Sequence, residues 1–216
     1  MTQTTSPSTV EGVFRRFTNL ASTIHLLQTN RITLLPPDSW DDQNDRHFMD
    51  VYKKRKALKT LTALCLSQAP ETYHHWRVFS PNSDGVCLLL NREKLLKAFD
   101  DKPGVRHHAV RYKEISRLPN LNPAIDELPF IKRYPYEPES EYRIICESST
   151  RKDLASNFDL LLGTIEAVIL SPWMPQALVT SVQSALRKIN TTGRTSIYAS
   201  TLISNSDWQK VADRAV

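Results

Sequence analysis

Glycine is scarce in this chain, with five in 216 residues against thirteen prolines. That excludes long flexible glycine linkers and glycine-rich phosphate loops. No Walker loop, dinucleotide fingerprint or Gly-x-Ser-x-Gly elbow occurs. Cysteine is equally sparse. Cys65, Cys87 and Cys146 have neither metal-type nor redox-type spacing, and each sits in an apolar run. The expectation is three buried thiols in a reducing compartment. No apolar run approaches the roughly 20 residues of a membrane span. The first ten residues are polar and lack the charged start and apolar core of a signal peptide. Together these absences predict a soluble, cytoplasmic protein with no membrane partner.

What is present is ordinary for a globular domain: 40% hydrophobic and 24% charged residues. The length suits one domain, with residues 1–12 as a loosely held arm and 13–216 as the folded unit. The formal net charge of +5 is uneven. Its densest run is Lys53-Lys54-Arg55-Lys56, with Lys59 just beyond. Such a run is either the wet face of a helix or a contact for nucleic acid.

Strand and helix signals interleave along the chain. Val13–Phe17, Arg31–Leu35, Leu61–Leu66, Val86–Leu90, Val105–Tyr112, 164–170 and 195–203 read as strands. Helices are expected from Ser22 as a cap, over Arg46–Lys59, Glu71–Phe79, Arg92–Phe99, 153–162 and 174–189. Residues 116–136 hold several prolines and read as irregular. This alternation predicts a single mixed α+β domain with a central, largely antiparallel sheet flanked by helices.

Pro138 to Cys146 carries the densest chemical signal. Read as a strand, it places Glu139, Glu141 and Arg143 in one row, with Ser140, Tyr142, Ile144 and Cys146 opposite. That row is either a solvated edge, ion-paired to Arg143 and Lys132, or a site. Of the adjacent pairs His74-His75 and His107-His108, at most one member each could enter a shared site, since strand neighbours point to opposite faces. Without a third ligand at fixed spacing, no metal site is predicted. Asp38, Asp41, Asp42 and Asp45 read as an acidic loop, with a hard-cation cluster as the other option.

In chain order the landmarks are Phe14-Arg15-Arg16-Phe17, Trp40-Asp41-Asp42, Leu64-Cys65-Leu66-Ser67, Trp76 with Phe79, Gly85-Val86-Cys87-Leu88, Lys132 and Glu139-Ser140-Glu141-Tyr142-Arg143. This series resembles a bacterial family catalogued only as a domain of unknown function, the 2971 family. It departs from that pattern at Trp40-Asp41-Asp42-Gln43, where Asn-Asp-Pro is usual. The order of Arg16, Ser67 and the Glu-x-Glu pair also resembles the Arg–Ser–Glu arrangement of ADP-ribosyltransferases. That resemblance implies NAD as cofactor, with Arg16 on its phosphates and Ser67 at the nicotinamide ribose. It implies Glu141 as the catalytic carboxylate and Glu139 orienting the acceptor. Trp76 or Tyr142 would stack on nicotinamide. The acceptor would be a macromolecule, protein or nucleic acid, with Lys53, Lys54, Arg55 and Lys56 as nucleic-acid contacts. A role in bacteria–phage conflict fits such families. The alternative is a non-enzymatic protein- or nucleic-acid-binding module of antitoxin or counter-defence type.

Overall fold

The computed structural model describes residues 12–116, 121–190 and 195–215. The expected N-terminal arm lies almost entirely outside them. Strands β1 (Val13–Asn19), β3 (Thr60–Ser67), β4 (Gly85–Asn91), β5 (Val105–Ala109), β8 (Glu141–Ser148), β10 (Ile165–Leu170) and β11 (Ser196–Ala199) form a seven-stranded sheet in the order β11-β10-β4-β1-β3-β8-β5. Every pairing in it is antiparallel except β10 with β11. The expected α+β architecture with a largely antiparallel sheet is the one observed. Two small ribbons flank it: β2 (Arg31–Leu34) with β9 (Ser156–Asp159), and β6 (Arg111–Lys113) with β7 (Ile131–Arg133).

Apolar side chains cover both faces of the central strands, so β3 and β4 are continuous apolar runs. On one face Phe14, Leu64, Leu66, Leu88, Leu90, Ile144 and Val168 join the main core. It is closed by α1 (Leu20–Thr29) and α5 (Gln176–Ile189). On the other face two smaller clusters form. Met49 and Tyr52 of α2 (Gln43–Arg55) pack on Leu61, Ala63 and Ile145. Trp76 of α3 (Tyr73–Phe79) packs on Phe17, Cys87 and Ile169. Between these clusters the sheet is left uncovered. α4 (Arg92–Lys97) follows β4, and α6 (Ser206–Ala212) ends the chain fully exposed.

Local chemistry sets the helix starts. Asn19, not Ser22, caps α1 by accepting from Ser22 N at 2.9 Å. Asp42 caps α2 through Asn44 N at 3.0 Å. α2 therefore begins three residues earlier than the sequence suggests. The expected helix over 153–162 is instead strand β9, held by its antiparallel register with β2. The Val105–Tyr112 strand is broken into β5 and β6. Residues 116–136 contain a 3-10 turn at Ile125–Phe130 and the short β7. One of the few glycines is forced: Gly104 has φ +76°, and a Cβ there would sit 2.2 Å from Glu147 O.

Candidate active-site cleft

The gap between the two smaller clusters is a cleft of about 440 Å³, within the ~300–1,000 Å³ usual for small-molecule sites. Ser67 and Glu141, Cα partners at one end of the β3–β8 ladder, lie in its lining. Arg15, the Cα partner of Ser67 on β1, lines it as well. Aromatic faces come from Phe17, Trp40, Phe79 and Tyr136, and Glu139 and Lys132 complete the polar wall.

The expected row of three charges on one strand is corrected here. Pro135 and Pro138 belong to a 3-10 turn over Tyr134–Glu139, and Ser140 takes φ 44°, so the strand begins only at Glu141. Glu139 nevertheless reaches the same place from the turn. Its backbone is fixed by Ser67, whose Oγ donates to Glu139 O at 2.8 Å. The same Oγ accepts from Ala69 N at 3.1 Å. Gln68 N donates to Ser140 O at 2.9 Å. Ser67 is thus a clamp on the turn that carries Glu139.

The charges are buried rather than solvated. Arg143 is 0% exposed and donates all five of its N–H groups. Nε and Nη2 donate to the two oxygens of Glu141 at 2.8 and 3.0 Å. Nη1 and Nη2 donate to Asp45 at 2.9 and 2.7 Å, and Nη1 also to Pro129 O at 2.7 Å. Trp40 covers the guanidinium at 4.7 Å. Lys132 Nζ bridges Glu139 at 2.6 Å and Glu141 at 3.3 Å, with Asp45 at 3.8 Å. Two cations therefore face three carboxylates, a formal surplus of one negative charge, with burial pushing the Asp45 carboxyl up and Arg143 opposing it. Lys132 takes Oε2 of Glu139, and among the described residues Oε1 has no hydrogen-bond donor.

Burial pushes the Glu141 carboxyl up, but Arg143 and then Lys132 outweigh it and hold it at about 2. Burial pushes Glu139 above the usual carboxylate range, and Lys132 offsets only part of that. Enclosure pushes the Lys132 ammonium down, yet Glu141 and Glu139 together raise it well above its ordinary value. His75 lies 3.4 Å from Ser67 Oγ and is buried, which lowers its imidazole and favours the neutral form.

The opposite wall is positive and unpaired. Arg15 is 8% exposed, donates Nη1 to Ala69 O at 2.9 Å, and has no ion-pair partner among the described residues. Its buried Nε has no hydrogen-bond partner among the described residues. Arg16, the residue singled out in the sequence, falls on the other side of β1, opposite Leu88 of the main core. It is half-buried, its guanidinium is lowered by burial to about 10, and it does not line the cleft.

The remaining sequence candidates separate clearly. Trp76 is 0% exposed in the α3 cluster, its Nε1 donating to Glu71 at 2.7 Å. Tyr142 is buried against Phe14 on the opposite face, ring centroids 4.7 Å apart. Neither lines the cleft. Lys53, Lys54, Arg55 and Lys56 lie at the far end of α2. Cys87 and Cys146 are buried as expected, but Cys65 is exposed on the cleft floor. Its thiol is raised by enclosure and by the Glu141 charge. Asp45 is buried beside Arg143, and among the described residues no group of three or more His, Cys, Asp or Glu is placed to hold a metal. Trp40 and Tyr136 were not marked as site residues in the sequence, and Asp45 only as an optional cation ligand. Contacts with Lys132 and Arg143, 87 and 98 residues away, bring Asp45 into the charge cluster behind the cleft wall.

No protein-family model matches the chain, and no curated protein does. Among solved structures it is similar to Thermus sp. 2.9 DarT in complex with NAD+ (12% identity, 94% of this chain and 99% of that chain, TM-score 0.43). It is also similar to that protein in complex with ADP-ribosylated ssDNA (10%, 91% and 95%, 0.45) and with carba-NAD+ (13%, 92% and 98%, 0.41). No helix among the described residues is long and apolar enough to cross a membrane.

Proposed function

We propose that the chain is an ADP-ribosyltransferase-like enzyme whose cleft binds NAD or a related dinucleotide and transfers its ADP-ribosyl group to a macromolecule. The observation that carries this reading is the polarity of the cleft. One wall holds a buried, unpaired guanidinium, Arg15; the other holds a carboxylate cluster with one surplus negative charge. A buried cation without a counter-ion is costly and is relieved by a bound anion such as a pyrophosphate. A fixed negative cluster favours a group on which positive charge develops, as at the ribosyl carbon when nicotinamide departs.

Each residue then has a role set by its contacts. Arg15 takes the phosphate position that the sequence resemblance gave to Arg16. Glu141, ionised and held by Arg143, faces the developing ribosyl cation. Glu139, with a free oxygen and a raised carboxyl, accepts the proton of the attacking nucleophile. Ser67 holds the Glu139 turn. Phe17, Trp40, Phe79 and Tyr136 offer flat faces for the nicotinamide or adenine rings. The C–N bond to nicotinamide breaks, the bond from ribose to the acceptor nucleophile forms, and the acceptor proton goes to Glu139. A nucleic-acid acceptor, cytoplasmic action and a part in bacteria–phage conflict are the finer parts of this proposal.

A second reading is a binding module without catalysis. Both oxygens of Glu141 already accept from Arg143, as in a structural ion pair. The test is thermal denaturation with millimolar NAD, paired with transfer of label from labelled NAD to oligonucleotides and proteins. A ligand bound only by the native state raises the melting temperature. A shift in the wild type, and label transfer lost in Glu139→Gln with the shift retained, support the enzyme. No shift with NAD, NADP or ATP sinks it and leaves the binding module.

A further inference from the structure

The cleft and the densest positive charge of the molecule lie at opposite ends of the same two elements. Ser67 and Glu141 mark the cleft end of the β3–β8 ladder; Thr60 and Ser148 mark the other. The seven steps between them cover roughly 23 Å at ~3.3 Å per residue. α2 runs the same way, from its cap Asp42 at the cleft to Lys53, Lys54 and Arg55. Its 13 residues span about 20 Å.

At that far end two segments are tied into one surface. Lys59 N donates to Ser148 O at 2.8 Å, and Thr60 Oγ1 donates to Arg151 O at 2.6 Å. This brings Lys152 beside the 53–59 turn. Lys56 and Arg106 are paired with Asp126, and Arg151 with Asp153. Five cations have no ion-pair partner among the described residues: Lys53, Lys54, Arg55, Lys59 and Lys152. All but half-buried Lys53 are exposed. Five unpaired charges on one end account for a field that the chain's formal +5, spread evenly, would not create.

We propose that this end is the docking face for the phosphates of a single-stranded nucleic acid, which runs along α2 and presents its reactive group to the cleft. The inference rests on the enzyme reading for its second half only. A single strand is favoured because the cleft is concave and enclosed by aromatic walls. A paired, stacked base cannot enter such a site without being extruded. The distance adds a rule: an acceptor must bridge about 20 Å, roughly six nucleotides if they stack at ~3.4 Å each and about half as many if the strand is extended. Shorter oligonucleotides reach the cleft or the docking face, not both.

The experiment is fluorescence anisotropy of labelled single-stranded DNA of about 16 nucleotides, without dinucleotide, over a salt series. Five phosphate contacts give a slope of log affinity against log salt of about −3.5. The K53Q/K54Q/R55Q/K59Q/K152Q variant loses most of that slope and binds at least roughly tenfold more weakly at low salt. Its NAD-induced melting shift stays that of the wild type. Should the five-fold variant fold poorly, Lys54→Glu and Lys152→Glu singly serve the same measurement. Unchanged affinity and slope overturn the proposal. So does binding of phosphatidylserine vesicles, lost with these substitutions, in a protein that ignores the oligonucleotide. Because dinucleotide is absent, failure of the cleft reading leaves the binding result intact. If docking holds, a two-nucleotide acceptor accepts label far less well than a twelve-nucleotide one containing it, and equal labelling overturns the spanning rule.

Discussion

Asp45 and Arg143, 98 residues apart, are joined by two parallel hydrogen bonds of 2.9 and 2.7 Å in the interior. This fork ties the start of α2 to the sheet and fixes the guanidinium that in turn holds Glu141. Removing Asp45 leaves Arg143 paired with Glu141 but strips the acceptors from two of its buried N–H groups, which costs about 1–3 kcal/mol. Asp45→Ala is therefore expected to lower stability by that order, read by urea denaturation. Asp45→Asn, which keeps one acceptor, should lose less. Equal stability of wild type and Asp45→Ala would remove the fork from the account of the site.

Acid affects the two glutamates in sequence. Glu139 is raised, so it takes up its proton first as pH falls, above the ordinary carboxylate value near 4.5. That protonation cancels the surplus charge of the cluster and removes the proposed base. Glu141, held at about 2, stays ionised; the stability it contributes is present above about 4.5 and lost as pH falls toward 2. Activity should thus fall on acidification well before the fold does. Rate and circular dichroism measured over the same pH series check this. Coincident loss of both contradicts the separation.

Lys132 is what lets Glu139 and Glu141 be ionised side by side. Without it two carboxylates face each other with only Arg143 near, and like charges in one site raise a carboxyl. Lys132→Met is expected to move the acid limb of the rate profile to higher pH. Groups facing the pair are Asp45 from α2, Cys65 from β3, Tyr112 from β6 and Arg143 from β8. None of these replaces the missing cation at Glu139. A profile that loses height without shifting would reduce Lys132 to packing.

How far the sequence disclosed this site follows from which forces are local. Buried strands such as Leu61–Leu66 and Val86–Leu90 announce themselves as apolar runs. The phase of β1 does not. Phe14 and Phe17 have opposite parity, because one enters the main core and the other the α3 cluster. Alternation therefore could not choose between Arg15 and Arg16, and the resemblance chose Arg16. Glu139 was placed on the strand although Pro138 precedes it, a local signal that favoured a turn. Residues 156–159 became a strand because β2 was there to pair with, a partner 120 or more residues away. The Glu–Lys–Glu–Arg contacts were legible as pairings, but their burial was not, since the walls come from α2 and from Trp40.

Cys65 reports directly on what occupies the cleft. It lies exposed on the floor, whereas Cys87 and Cys146 are buried. Labelling with a maleimide should modify Cys65 alone in the native protein, slowly at neutral pH because Glu141 disfavours the thiolate, and faster as pH rises. Saturating NAD should protect it. Full labelling at an unchanged rate under saturating NAD would place the dinucleotide elsewhere.

Arg15 gives the sharpest test, because stability and binding should respond with opposite signs. The residue is 8% exposed, and among the described residues its guanidinium donates to a single carbonyl and leaves Nε unmatched. A buried charge in that state destabilises the empty protein. An apolar side chain of similar length removes the penalty, so Arg15→Met should raise the stability of the ligand-free protein by about 1 kcal/mol. The same change deletes the charge-assisted bonds proposed for the dinucleotide phosphates, each worth about 1.5–3 kcal/mol. NAD affinity should then fall by roughly tenfold or more. Denaturation of the free protein and calorimetric titration with NAD read the two quantities separately. A structural arginine would lose stability on substitution and keep its affinity; a phosphate-binding one gains stability and loses affinity.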